Sequence, residues 1–116
     1  MPGTSSRFVP AVNVLLDAHD HPLRKEIDAL RTIILAVDEC IEEGVKWIAA
    51  SFRTTDRFAT LNGPKHVKEP ILILHADAKA KGIVLDRGLI VFADLTDINR
   101  KQKALRGILR AWIELI

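Results

Sequence analysis

Leu23, Ile27, Leu30, Ile34, Val37 and Ile41 recur at spacings of 4, 3, 4, 3 and 4. That rhythm winds them onto one face of a helix. Pro22 suits a first helical turn and biases His21 away from the helical region. A helix is therefore expected to start near Pro22, with Gly44 placed to stop it or a short successor. A break near Asp38 also fits, because the β-branched and acidic residues there have modest helix propensity. Upstream, Phe8, Val12, Leu15 and Leu16 predict a shorter helix ending near Asp17, with Ser5 or Ser6 as N-cap and Pro10 in its first turn. At the far end, Ile98, Leu105, Ile108, Leu109, Trp112, Ile113 and Ile116 share one face of a long C-terminal amphipathic helix. Asp94 with Asp97, or Thr96 alone, caps its start. Leu105, Ile108, Leu109 and Trp112 are expected to pack on the domain, leaving Arg100, Lys103 and Arg110 in solvent.

Between these helices the period changes. Short apolar runs are bounded by Arg53-Thr-Thr-Asp56, Asn62-Gly-Pro64, Asp77 to Gly82 and Asp86-Arg-Gly88. Ile71 to Leu74 is apolar at every position, which predicts an interior strand covered on both faces. Phe58 to Leu61, Ile83 to Leu85 and Leu89 to Phe92 read as neighbouring strands, the last two joined by a hairpin with Gly88 available for positive φ. A strand near Lys46–Trp47 is a weaker signal. The order helix, helix, strands, helix predicts an α+β domain: an antiparallel β-sheet packed with N-terminal helices and the C-terminal helix. Residues 1–7 are small, polar and helix-poor, a loose lead-in to a single domain over 8–116.

Composition adds bounds rather than an activity. With 116 residues, 48% hydrophobic and 28% charged, the chain matches an ordinary one-domain globule and needs no disulfide or metal staple. The net charge is +2, and the basic excess lies in the C-terminal half. Nucleic-acid binders concentrate more charge, so a nucleic-acid partner is not expected. Cys40 is the single cysteine, which suits a reducing compartment. No apolar run approaches a membrane span. A cytoplasmic location without a membrane partner is the expectation.

Glu43-Gly-Val-Lys-Trp47-Ile-Ala-Ala-Ser-Phe52, followed by Asp56-Arg-Phe-Ala-Thr60, resembles the signature of the YdhG-like family of domains of unknown function. The likeness continues through Leu72-Ile-Leu-His75, Ala78-Lys79, His21-Pro22-Leu-Arg, Leu30-Arg31 and Arg110-Ala-Trp-Ile113, over roughly residues 9–115. Ala50 replaces the usual proline before Ser51, Ile48 replaces the usual Asn after the tryptophan, and the segment from His75 to Asp94 is short. The resemblance implies an antiparallel sheet backed by helices. Some family members are described as frataxin-like iron chaperones, so iron is the one cofactor it implies; no other is evident.

Candidate chemistry then divides in two. Iron sites want clustered carboxylates, and Glu39, Glu42 and Glu43 can share a helix face at i, i+3 or i, i+4; the alternative is a solvated helix end. The other reading is a binding module for a small anionic ligand or a partner. Here Glu43, Lys46, Trp47, Ser51, Phe52, Thr60, His75 and Lys79 converge on one concave region, Lys46 and Lys79 supplying positive charge and Trp47 and Phe52 forming walls. His19 and His21 lie two apart but lack a second ligand pair with zinc spacing. No Gly-x-Ser-x-Gly elbow, Ser-x-x-Lys, P-loop or dinucleotide fingerprint occurs. Cys40 lies among acids that raise a thiol's pKa, the wrong direction for a nucleophile. No catalytic motif argues for an enzyme.

Overall fold

The computed structural model describes residues 8–46, 48–54, 57–63, 65, 67–74 and 88–115. Helix α1 spans Pro10–His19, with Pro10 at its first turn and Val9 as N-cap. It stops at Asp20, whose φ of 46° is left-handed, a conformation Asp accepts more readily than most side chains. The cap is thus Val9 and not Ser5 or Ser6, because proline fixes the first-turn geometry later in the chain. Helix α2 covers Arg24–Val37 and presents Ile27, Leu30, Arg31 and Ile34 to the interior.

The helix does not run on to Gly44. Asp38 is extended, and strand β1 follows at Glu42–Lys46, with β2 at Ala49–Arg53 and β3 at Arg57–Leu61. Strand β4 is Ile71–Leu74 and β5 is Gly88–Val91. The five form one antiparallel meander in the order β1-β2-β3-β4-β5. Gly44, expected to end a helix, sits mid-strand opposite Ser51. Ile41 keeps its interior position at 1% exposure, which is why the helical rhythm of the sequence extends through it. β4 is interior as expected, with Leu72 and Leu74 buried but Ile71 and Ile73 half-buried. β5 pairs with β4; the expected strand Ile83–Leu85 lies outside the described residues.

The C-terminal helix is two. Helix α3, Leu95–Arg100, and helix α4, Gln102–Leu115, meet at Lys101, where ψ is 3°. Hydrogen bonds continue across the junction, from Lys101 to Asp97 and from Leu105 to Lys101. The seven-residue step from Ile98 to Leu105 therefore hides the junction. Leu105 and Leu109 are buried, Trp112 is half-buried, and Ile108 is 45% exposed. Arg100, Lys103 and Arg110 are exposed, as expected.

All four helices lie over one sheet face. Val12, Leu16, Ile27, Leu30, Ile34, Ile98, Leu105 and Leu109 pack with Phe52, Ala59, Leu61, Leu72, Leu74 and Phe92 into a single core. Alternation along the strands sends most intervening residues to the opposite face; at the β2–β3 bulge, where the register slips between Phe52 and Arg53, Phe58 instead joins the core and Arg57 faces Arg53. Two polar devices join the loops to this core. Asn62, 1% exposed, donates to Glu69 C=O at 2.9 Å and accepts from Ile71 N–H at 2.8 Å, closing the β3–β4 connection. Buried His21 accepts from Leu23 N–H at 3.1 Å through Nδ1 and donates through Nε2 to Gly63 C=O at 3.0 Å. Those partners assign the neutral Nε2–H tautomer.

Asp94 caps α3 by accepting from Asp97 N–H at 2.9 Å, the pairing expected from sequence. Asp97 in turn accepts from Ala93 N–H at 2.9 Å, Arg100 at 2.7 Å and Lys101 at 3.0 Å. The Ala93 bond first, then the two cations, lower its pKa to about 2. The folded state therefore prefers the charged carboxylate. This stability is full above the ordinary carboxylate pKa of about 3.9 and drains away as the pH falls toward the folded value. Thermal melts between about pH 5 and pH 2 are expected to show a smaller loss of midpoint in Asp97→Asn than in the parent. Parallel pH profiles would exclude this role for Asp97.

Candidate functional site

The residues expected at one site begin on β1 and β2. Phe52 is buried in the core under the helices, and its cross-strand neighbour is Glu43. Both therefore project toward the helix layer. Lys46 pairs with Ala49, and Gly44 with Ser51, on the opposite face. Ser51 is opposite Thr60 on β3. The sheet thus divides the set: Glu43 and Phe52 lie on one side, and Lys46, Ser51 and Thr60 on the other. Trp47, His75 and Lys79 lie outside the described residues.

On the helix side, Glu43 serves an ion pair. Arg31 Nε is 2.6 Å from Glu43 Oε2 and Arg31 Nη2 is 2.7 Å from Oε1. Both side chains are fully buried. The guanidinium also donates to Asp28 Oδ1 and Asn13 Oδ1, each at 2.8 Å, and Phe8 stacks 3.9 Å from it. Val9 N–H donates to Glu43 Oε1 at 3.0 Å. Burial alone would lower the Arg31 pKa, but hydrogen bonds and charge from Glu43, then Asp28, outweigh it and raise it. One carboxylate so gathers the start of α1, the middle of α2 and the edge strand β1. Arg31 is the residue that chemistry-first reading passed over. Its signal was its place on the apolar stripe, four after Ile27 and three before Ile34.

The acids of the iron reading separate as well. Adjacent strand residues point to opposite faces, so Glu42 and Glu43 cannot act as helical neighbours. Glu42 bonds Arg53 at 3.0 Å, and Glu43 is held by Arg31. With Glu39 they border a shallow depression of about 320 Å³. No group of three metal-ligating side chains occurs among the described residues. His21 has both ring nitrogens engaged. The side chain of His19 and the whole of His66 lie outside the described set. Cys40 is exposed, and Asp38 first, then Glu39, raises its thiol pKa, the direction its acidic surroundings foretold.

On the sheet face away from the described helices, Ala49, Ser51 and Thr60 are themselves buried, at 2%, 0% and 4% exposure. Ser51 Oγ donates to Ala59 C=O at 3.1 Å and lies 3.4 Å from Thr60 Oγ1. The two buried hydroxyls therefore satisfy one another and the backbone. Around them stand Lys46 and Arg57, both half-buried, and Arg53, exposed. Arg57 reaches over Gly44, its Nη1 3.7 Å from where a Cβ there would stand. Glu42 is the acid among them. The β1–β2 turn closes through Ile48, 54% exposed at a φ of 57°. A β-branched residue pays about 1–2 kcal/mol for that left-handed conformation.

Among the described residues no helix is long and apolar enough to cross a membrane. Comparison of the chain with family models, with curated proteins and with solved structures found no match.

Proposed function

We propose that this chain is a cytoplasmic binding module of YdhG-like kind that takes a small anionic ligand on the helix-free face of β1–β3. One observation carries the reading: Lys46, Arg53 and Arg57 share that face with Glu42 as the accompanying acid. Glycine and alanine at positions 44 and 49 keep the ground between the cations low. Arginine forks fit carboxylate and phosphate groups, and a lysine adds a point charge. Ser51 and Thr60 stiffen the floor, while the cations do the contacting. Two of the three acids of the iron reading, Glu42 and Glu43, are already engaged by Arg53 and Arg31.

Native mass spectrometry of freshly purified protein is expected to reveal a bound anion. Titration with inorganic phosphate is expected to shift the amide signals of β1–β3. Lys46→Ala and Arg57→Ala should each weaken that binding about tenfold, equivalent to about 1.4 kcal/mol, with little change in melting temperature. Lys103→Ala, on exposed α4, should not. Absence of any adduct and of any shift, or equal weakening by Lys103→Ala, would sink the proposal.

A further inference from the structure

One buried ring fastens two distant segments of the chain. His21 is 5% exposed and sits in the turn between α1 and α2, behind the left-handed Asp20 and ahead of Pro22. Both of its ring nitrogens end on the main chain. Nδ1 accepts from Leu23 N–H at 3.1 Å, and Nε2–H donates to Gly63 C=O at 3.0 Å. A peptide N–H only donates and a carbonyl only accepts, so the ring fills both roles in its neutral form alone.

The start of α2 depends on this turn. Leu23 is the N-cap, and its side chain caps nothing. Leu23 C=O accepts from Ile27 N–H at 2.8 Å, and His21 C=O accepts from Arg24 N–H at 3.1 Å. His21 therefore bonds the N-cap through its ring and the first helical residue through its backbone.

An imidazole takes up its proton on the nitrogen that lacks one, and here that nitrogen is Nδ1. The imidazolium would set an N–H against the N–H of Leu23, while Nε2–H keeps the Gly63 carbonyl. Charges on all three elements that meet at the ring come from Asp17 and Asp20 at the end of α1, from Arg24, Lys25 and Glu26 at the start of α2, and from Lys65 on the β3–β4 connection. Arg24 pairs with Asp17 and with Asp28. None of these groups bonds the ring, whose two nitrogens are taken by backbone. No carboxylate there accepts the proton that Nδ1 would gain. A proton on the ring thus costs one backbone hydrogen bond and gains no new one.

We infer that His21 is a proton-operated latch between the start of α2 and the β3–β4 connection. The neutral ring holds both segments; a proton taken from water at Nδ1 turns Leu23 N–H out to solvent and loosens the helix start.

The connection has a second fastening of different chemistry. Asn62 holds Glu69 C=O and Ile71 N–H, and its amide does not titrate. Acid therefore opens the His21 side and leaves the Asn62 side shut. The carboxylate of Asp97, with its pKa lowered to about 2, stays charged throughout the range in which an imidazole takes up its proton.

Hydrogen exchange of the full chain at about pH 7.5 and about pH 5.5, expressed as protection relative to the intrinsic rate, tests the latch. Protection at Leu23 and Arg24 is expected to fall at least about tenfold at the lower pH, with Ile71 unchanged. Nitrogen NMR of the His21 ring should show Nδ1 gaining its proton over the same interval. His21→Gln carries an acceptor and a donor that keep their roles at both pH values, and should remove the dependence. His19→Asn and His66→Asn should retain it. A ring that gains its proton with no loss of protection at Leu23 overturns the inference, and so does a ring that stays neutral at the lower pH. An equal fall at Ile71, a fall that persists in His21→Gln, or one that vanishes in His19→Asn or His66→Asn overturns it too. These readouts do not depend on whether β1–β3 bind an anion.

Discussion

Replacing Glu43 by alanine is expected to destabilise the fold by about 3–5 kcal/mol. The reason is what remains behind. Arg31 keeps its charge and its fully buried position, still donating to Asp28 and to the Asn13 amide oxygen. An arginine does not neutralise itself by losing a proton at accessible pH. Val9 N–H loses its acceptor in the same substitution. A domain of this size has about 5–15 kcal/mol in hand, so much of its margin goes. Urea denaturation of Glu43→Ala would measure the loss directly. The double variant Arg31→Met with Glu43→Leu is expected to recover most of it, since exchanging a buried pair for apolar volume is often neutral or better. A Glu43→Ala loss below about 1 kcal/mol would mean that the pair does not organise the fold. The same experiment separates structure from binding: Lys46→Ala, across the sheet, should leave the urea midpoint near the parent value.

Asn62→Ala is expected to cost about 1–3 kcal/mol, the usual range for leaving a buried polar group without its partner. Its amide joins Glu69 C=O and Ile71 N–H, so it holds the exit of β3 to the entry of β4. Next to it, Gly63 C=O receives the His21 ring, and this links the loop to the start of α2. The consequence should be local before it is global. Hydrogen exchange is expected to accelerate at Ile71 well before the core amides of Leu72 and Leu74, because local opening needs less free energy than global unfolding. Uniform acceleration across the sheet would contradict the clasp. Unchanged exchange at Ile71 would contradict it equally.

Local rules carried the parts of the fold that depend on neighbours. The stripes of α2 and α4, Pro10 in the first turn of α1, the Asp94–Asp97 cap and the all-apolar run of β4 follow from spacing and side-chain chemistry alone. So does the α+β class, since the strands are short and punctuated by turns. The failures share a cause. Ile41 and Leu105 continue a helical rhythm past real breaks, and periodicity cannot distinguish a helix that continues from one that ends while the next element reuses the same buried side. The strand at Glu42–Lys46 has a period of two, which parts Glu43 from Lys46.

What the sequence by itself determined is therefore the kind of element along most of the chain, and the polar or apolar character of each face. Those properties are set within a few residues by dihedral preference and side-chain spacing. Only the tertiary structure decided which distant groups meet. Arg31 and Glu43 are twelve residues apart, and His21 and Gly63 forty-two. The pairing of such groups depends on how the helix layer settles on the sheet. The same placement buried Glu43 and Phe52 beneath the helices, left Lys46, Arg53 and Arg57 together on the opposite face, and exposed Ile108 beside Ile90 and Phe92. Burial is a property of the packed whole, because it requires two surfaces to exclude water from each other.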